Sequence, residues 1–123
     1  MASLGDSVLD AALQKLEDDT ENLYITNAEA TTYTEAITTF KLGTKASPSF
    51  TGPVNGDVSG RKTTIDAITD GTVSATDDAT HWALTDNSAT DLLAAGALAS
   101  SQGVTDGNTF TLTAFDIEIP DPA

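Results

Sequence analysis

His81 is the only histidine of the chain, and an unperturbed histidine is the side chain best suited to proton transfer near neutral pH. Nucleophilic catalysis would require a hydroxyl nucleophile beside it, because the chain has no cysteine. Serine and aspartate are so common here that one of them near His81 is expected by chance, and no nucleophile-elbow motif is present. We interpret His81 as a structural or surface residue, and we predict no catalytic residues.

Carboxylates are the second group that could do chemistry. Nineteen acidic residues create many pairs, so any one pair says little about glycoside hydrolysis. Turn carboxylates could instead converge on calcium, a hard cation that takes oxygen ligands. The segments at predicted turns are Asp70, Asp77-Asp78, Asp86-Asn87 and Asp106–Asn108. The EF-hand spacing is absent, and turns favour Asp and Asn for backbone reasons alone. We predict no metal site and no cofactor, with calcium kept as an alternative.

Gly60-Arg61-Lys62 contains the only adjacent basic pair in this acidic chain. One interpretation is a local ion pair with a nearby aspartate. The other is an anchor on an acidic neighbouring subunit, because arginine is enriched at the energetic centres of interfaces. Both interpretations stay open from the sequence. The candidate partner-contact residues are Arg61, Lys62, Phe50 and Asp57.

The charge balance limits the class of partner. A net charge of −14 on 12.6 kDa disfavours a nucleic-acid backbone, which needs clustered Lys and Arg, and it disfavours anionic membrane surfaces. A partner is therefore electropositive, or it is held by apolar and backbone contacts. The longest apolar run, Leu92–Ala99, is shorter than the roughly 20 residues of a membrane span. The N-terminus lacks a signal-peptide pattern, and the absence of cysteine is typical of assembly in the cytoplasm.

The elements that must position these residues begin with a helix over residues 4–18. Its apolar stripe is formed by Val8, Leu9, Ala12, Leu13 and Leu16. A short strand at 23–26 and a short helix or turn within 30–41 follow. Residues 43–60 are rich in Gly, Pro and Ser and are predicted to be a loop, which at this length is either functional or docks on another surface.

Residues 61–119 are predicted to form four or five antiparallel strands, and residues 120–123 a short tail. Turn signals stand at Asp70-Gly71, Asp86–Ser88 and Asp106–Asn108. Within the long strand predicted at 109–119, the apolar positions change face near Thr113, which indicates a β-bulge or burial on both faces. Alternation places Trp82 inward and His81 outward. The fold class is mainly β: one domain over 1–123, an antiparallel β-sandwich or partly open barrel with an N-terminal α-helix.

Five segments in this order carry a resemblance that spans most of the chain: SVLDAALQKLEDDTENLYIT, TTYTEAITTFKLG, FTGPVNGDVSGRK, ATHWALTD and FTLTAFDIEIPDP. The chain resembles small virion proteins of tailed bacteriophages, of the type that decorates and stabilises the head. The shared features are Thr32-Tyr33, Gly56-Asp57, Ser59–Lys62, Ala79–His81 and Phe115–Glu118, none of which is a mechanistic motif.

The resemblance implies a β-rich protein that is made in the host cytoplasm and binds the outside of the capsid as a homotrimer. Its partner would be the major capsid protein, with no nucleic acid and no membrane involved. Two alternatives remain. One is a tail or head-fibre component of the virion. The other is a calcium-dependent carbohydrate-binding β-sandwich, in which Trp82 or Tyr33 would stack on the sugar.

Overall fold

The computed structural model describes residues 5–57 and 59–119 of the chain. In these ranges the protein is mainly β, with antiparallel strands and an N-terminal helix. The elements are α1 (Asp6–Asp19), β1 (Asn22–Thr26), a short π-helix (Glu35–Thr39), β2 (Lys41–Ala46), β3 (Phe50–Asn55), β4 (Arg61–Ile65), β5 (Ile68–Val73), β6 (Asp77–Asp86), β7 (Asp91–Val104), β8 (Thr109–Leu112) and β9 (Phe115–Ile119).

Two sheets share one core. The larger sheet has six strands in the order β7-β6-β1-β2-β5-β8 and curls into a half-barrel. The smaller sheet has three strands in the order β3-β4-β9. Buried residues of the larger sheet and Ile65 of the smaller one form a single apolar cluster. The predicted fold class, a β-sandwich or partly open barrel with an N-terminal helix, is confirmed.

Trp82 joins the two sheets. Its ring centroid lies 4.8 Å from that of Phe115, so a residue of β6 packs on a residue of β9. Only 8% of Trp82 is exposed, which confirms its predicted inward position. The next residue, Ala83, belongs to a second small cluster with Ala30 and Ala36 on the opposite face of β6. The larger sheet is therefore covered on both faces at this point.

Glycine makes room for the large rings of the core. Gly96 lies opposite Trp82 in the β6–β7 ladder, and a Cβ on Gly96 would lie 2.7 Å from the indole ring. Gly71 is paired with Phe110 in the same way. The predicted turn at Asp70-Gly71 is therefore wrong: both residues lie inside β5, and Gly71 is there because a side chain would collide with the Phe110 ring.

Helix α1 covers β3 and β4 with a narrower apolar stripe than the sequence indicates. Leu9 and Leu13 are buried, whereas Val8 and Ala12 are exposed. Gly5 is the N-cap and makes no side-chain cap hydrogen bond. The predicted start at residue 4 lies outside the described residues. The short helix predicted within 30–41 is present as the π-helix, and Ala36 is its buried residue.

The loop predicted at 43–60 is wrong. Most of β2 and all of β3 lie in this range, and they pair with β1, β5 and β4. Glycine and proline concealed β3, because Gly52 has a positive φ of 135° and Gly52–Pro53 is a cis peptide. The β3–β4 register shifts between Thr51 and Val54 at this irregularity. Proline and a bulge are compatible with an edge strand, and β3 is one.

The single long strand predicted at 109–119 is also wrong. The chain leaves the larger sheet after Leu112 and enters the smaller sheet at Phe115. The change of apolar face therefore marks a passage between two sheets and not a bulge within one strand. Residues 61–119 contain six strands where four or five were expected. The turns at Asp86–Ser88 and Asp106–Asn108 are confirmed near their predicted positions. The predicted tail, 120–123, lies outside the described residues.

Candidate partner-binding surface

The outer face of the three-stranded sheet carries a charged cluster around Lys62. Alternation along β4 and β9 places Lys62, Thr64 and Asp116 on one face. The Lys62 ammonium lies 2.7 Å from Asp57 and 3.0 Å from Asp116. The Thr64 hydroxyl donates to Asp116 at 2.7 Å. The two aspartates therefore hold Lys62 in place within the chain.

The electrostatics of this cluster agree with its geometry. Hydrogen bonds to Asp57 and then to Asp116 raise the pKa of the Lys62 ammonium. The hydrogen bond from Thr64, followed by the one from Lys62, lowers the pKa of the Asp116 carboxyl. Both groups are consequently ionised over a wide pH range around neutrality.

Arg61 lies on the opposite face of β4 and connects three elements. Its guanidinium donates to Asp10 of α1 at 2.7 Å, to the side-chain oxygen of Asn55 at 2.7 Å and to the carbonyl of Pro53 at 3.3 Å. The hydrogen bond to Asp10 is the main cause of its raised pKa. The structure thus shows internal ion pairs for Arg61 and for Lys62, which is the first of the two interpretations above.

The four candidate contact residues do not form one site. Asp57 and Lys62 are in direct contact, as described above. Arg61 faces α1, away from them. Phe50 is half-buried, lies opposite Ile65 in the β3–β4 ladder and packs against the core. It is part of the wall of the core and is not the tip of a loop.

Val54 is a surface residue that the sequence reasoning missed. It is 44% exposed and lies opposite Lys62 in the ladder, so it belongs to the same outer face. Val8 on α1 is the other large apolar residue that is exposed in the described part of the chain, at 53%. The alternation that would have revealed Val54 is interrupted by Gly52-Pro53. We use the name "outer face" for the surface formed by Val54, Asp57, Lys62, Thr64 and Asp116.

The turn carboxylates do not converge. Asp70 pairs with Lys45 at 3.0 Å, Asp77 accepts from Asn27 at 3.0 Å, and Asp86 accepts from the Ala89 N–H at 3.1 Å. Across residues 5–57 and 59–119, no three His, Asp or Glu side chains are grouped closely enough to hold a metal ion. Each of these three carboxylates therefore has a partner within the chain.

His81, which was considered for catalysis, and the two aromatic residues considered for sugar stacking lie away from the outer face. His81 is half-buried, and its Nδ1 lies 2.8 Å from the Thr80 hydroxyl. Trp82 is in the core, so it cannot be an exposed stacking platform. Tyr33 is partly buried beside the π-helix.

Two buried oxygen atoms near the end of α1 have no hydrogen-bond partner among the described residues: Oε2 of Glu17 and Oγ1 of Thr20. Burial is the main cause of the raised pKa of Glu17, and a hydrogen bond with Thr63 opposes it. The Glu17 carboxylate thus links α1 to β4 through Thr63, while burial destabilises its charged form.

Comparison of the chain with protein-family models, with curated proteins and with solved structures found no match. None of the helices in the described ranges combines the length and the apolar character that crossing a membrane requires.

Proposed function

We propose that this protein is a structural component of a tailed-bacteriophage virion, which binds the outside of the head and stabilises the capsid lattice. The observation that carries the proposal is the state of its charges. Four of its five basic residues, Lys15, Lys45, Arg61 and Lys62, are held in ion pairs with carboxylates of the same chain. The net charge remains −14. A protein with this charge favours an electropositive partner surface.

The outer face is the surface that we assign to the capsid contact. It offers an exposed apolar side chain, Val54, beside carboxylates that are already fixed in position by Lys62 and Thr64. Groups fixed before binding lose little conformational freedom when the partner arrives. β9 is an edge strand of the same sheet, and an extended segment of the major capsid protein could add to that edge.

Stabilisation would arise from multivalent binding. A ligand that binds an assembled lattice, and not separated subunits, shifts the equilibrium towards the lattice by mass action. A homotrimer would contact three capsid subunits at once, which raises the effective concentration of each contact. Light scattering of the purified protein tests the oligomeric state: we expect three times the chain mass, and a monomer in the absence and presence of capsid would contradict the trimer.

The stabilising activity is tested by the rupture of heads. Expanded heads that lack this protein should release their contents at a lower temperature than the same heads mixed with it. The variant Val54→Asp adds a charge to the outer face and should lose most of the effect, whereas Ala12→Asp, on the exposed side of α1, should keep it. Equal rupture temperatures with and without the wild-type protein would contradict the proposal.

A further inference from the structure

A cavity of about 250 Å³ lies along the seam where the larger sheet fails to close. β7 and β8 are the two outermost strands of that sheet, and residues of both line the cavity. The Gln102 side chain donates to the carbonyl oxygen of Thr111 at 3.0 Å and bridges the two strands at one point. Beyond that bridge, the cavity extends to the ring of Phe115 in the smaller sheet.

The wall of this cavity carries no charge. Its larger side chains are those of Trp82, Leu98, Leu112 and Phe115, and the remaining lining residues are small or neutral and polar. This is unusual in a chain of net charge −14. A charged ligand would lose its hydration here without meeting an opposite charge, and that loss is expensive. The wall therefore selects uncharged molecules.

Trp82 is one of the residues that line the cavity, and its indole N–H is a hydrogen-bond donor. The residue is 92% buried, as its exposed fraction of 8% implies, yet its indole N–H has no hydrogen-bond partner among the described residues. The indole nitrogen is not itself fully buried, so it retains access to open space. Buried indole N–H groups usually find an acceptor. An acceptor atom within the cavity would satisfy it.

We propose that the seam between β7 and β8 binds a small uncharged molecule with an apolar body and one hydrogen-bond-accepting oxygen, which accepts from the indole N–H of Trp82. The size is appropriate, because an apolar protein cavity of about 150 Å³ is sufficient to bind benzene. A single ring with a hydroxyl or carbonyl group therefore fits. This site is independent of capsid binding, and the failure of either proposal leaves the other intact.

Nuclear magnetic resonance tests the site with cyclohexanol as the probe. Trp82 is the only tryptophan, so its indole N–H gives a single resonance in the ¹⁵N-labelled protein. We expect that resonance to move downfield and to saturate at roughly millimolar cyclohexanol, which is typical of a ligand with so few atoms. Cyclohexanecarboxylate, which has the same ring and a negative charge, should produce no saturable shift.

A blocking variant and a matched control connect the shift to the cavity. Ala99 is an exposed residue of the cavity lining, so the added bulk in Ala99→Leu should narrow the cavity and abolish saturable binding. Ala12→Leu makes the same substitution on the exposed side of α1 and should bind as the wild type does. Ala114→Leu is a second blocking variant in the cavity lining, for use if Ala99→Leu loses the folded amide spectrum. No saturable shift in the wild type, or an equal shift in both blocking variants, would overturn the proposal, and binding of the carboxylate would overturn the ligand class.

Discussion

Arg61 shows what the structure adds to an ambiguity that the sequence leaves open. Two uses of an adjacent basic pair were equally compatible with the pattern Gly60-Arg61-Lys62. The structure places acidic partners for both residues within the same chain, and one of them, Asp10, is 51 positions away from Arg61. No spacing rule connects residues that far apart, because the contact depends on how α1 lies on β4. The sequence could identify the residues but not their partners.

The Arg61–Asp10 pair is expected to couple α1 to the three-stranded sheet. Arg61→Gln and Asp10→Asn should each lower the urea concentration at the unfolding midpoint, and the double variant should lose less than the sum of the two. Lys15→Gln is the control, because the Lys15–Asp19 pair is exposed and exposed pairs contribute little. Additive losses in the double variant would show that the pair does not act as a unit.

The raised pKa of Glu17 predicts how the stability of the fold changes with pH. Its pKa is raised in the folded protein, so the folded state binds the proton more tightly than the unfolded state does. The stabilisation from this group is therefore fully present below its unfolded pKa, about 4.3, and it is lost as pH rises through the folded pKa. We expect Glu17→Gln to remove this loss and to be more stable relative to wild type at pH 7 than at pH 4. Thermal unfolding at the two pH values measures the difference.

For Asp116 the same thermal-unfolding experiment should show the opposite dependence of stability on pH. Its pKa is lowered, so its stabilisation is present at neutral pH and is lost as pH falls through the folded pKa. Asp116→Asn should therefore be less stable than wild type at pH 7 and should approach it under acidic conditions. If both variants followed the same trend with pH, the assigned causes of the two pKa changes would be wrong.

At the scale of elements, sequence predicted the helix and several strands but missed a strand with an unusual backbone. The helix was recognised from its three- and four-residue periodicity, and β1 and β6 were predicted as short strands although neither alternates cleanly. β3 was missed because Gly52 and Pro53 resemble a loop, although an edge strand tolerates both. The change of apolar face within 109–119 was recognised, but it was attributed to a bulge or to burial on both faces. The sequence pattern alone cannot show that β8 joins one sheet and β9 joins the other.

Glycine positions in β5 and β7 provide a test of this packing. A Cβ on Gly96 would lie 2.7 Å from the Trp82 ring, so Gly96→Ala should destabilise the protein by about 1–3 kcal/mol, as overpacking does. Gly103→Ala in the same strand is the matched control, because its Cβ would meet only Asp78 Oδ1, at 3.5 Å. Chemical denaturation of the two variants measures the difference. Equal stability would show that the indole is not confined by β7.

At the scale of the whole molecule, the fold and the charge both support binding through the outer face. This small β-sandwich has a net charge of −14, holds four of its five basic side chains in internal ion pairs, and presents carboxylates and one exposed valine on the outer face. The fold class and the acidic balance could be predicted from composition and periodicity. The outer face could not, because it depends on the register of β3, β4 and β9. The proposal of head binding rests on the charge state of the chain together with this surface.

Binding to heads tests the central proposal most directly. Under the head-binding proposal, purified protein is mixed with expanded and with unexpanded tailed-phage heads, both prepared without it, and the amount that sediments with each is measured. We expect saturation on expanded heads at a fixed number of copies per capsid subunit, with Val54→Asp binding less and Ala12→Asp binding equally. Sedimentation of no protein with expanded heads, or an amount that never saturates, would contradict the account.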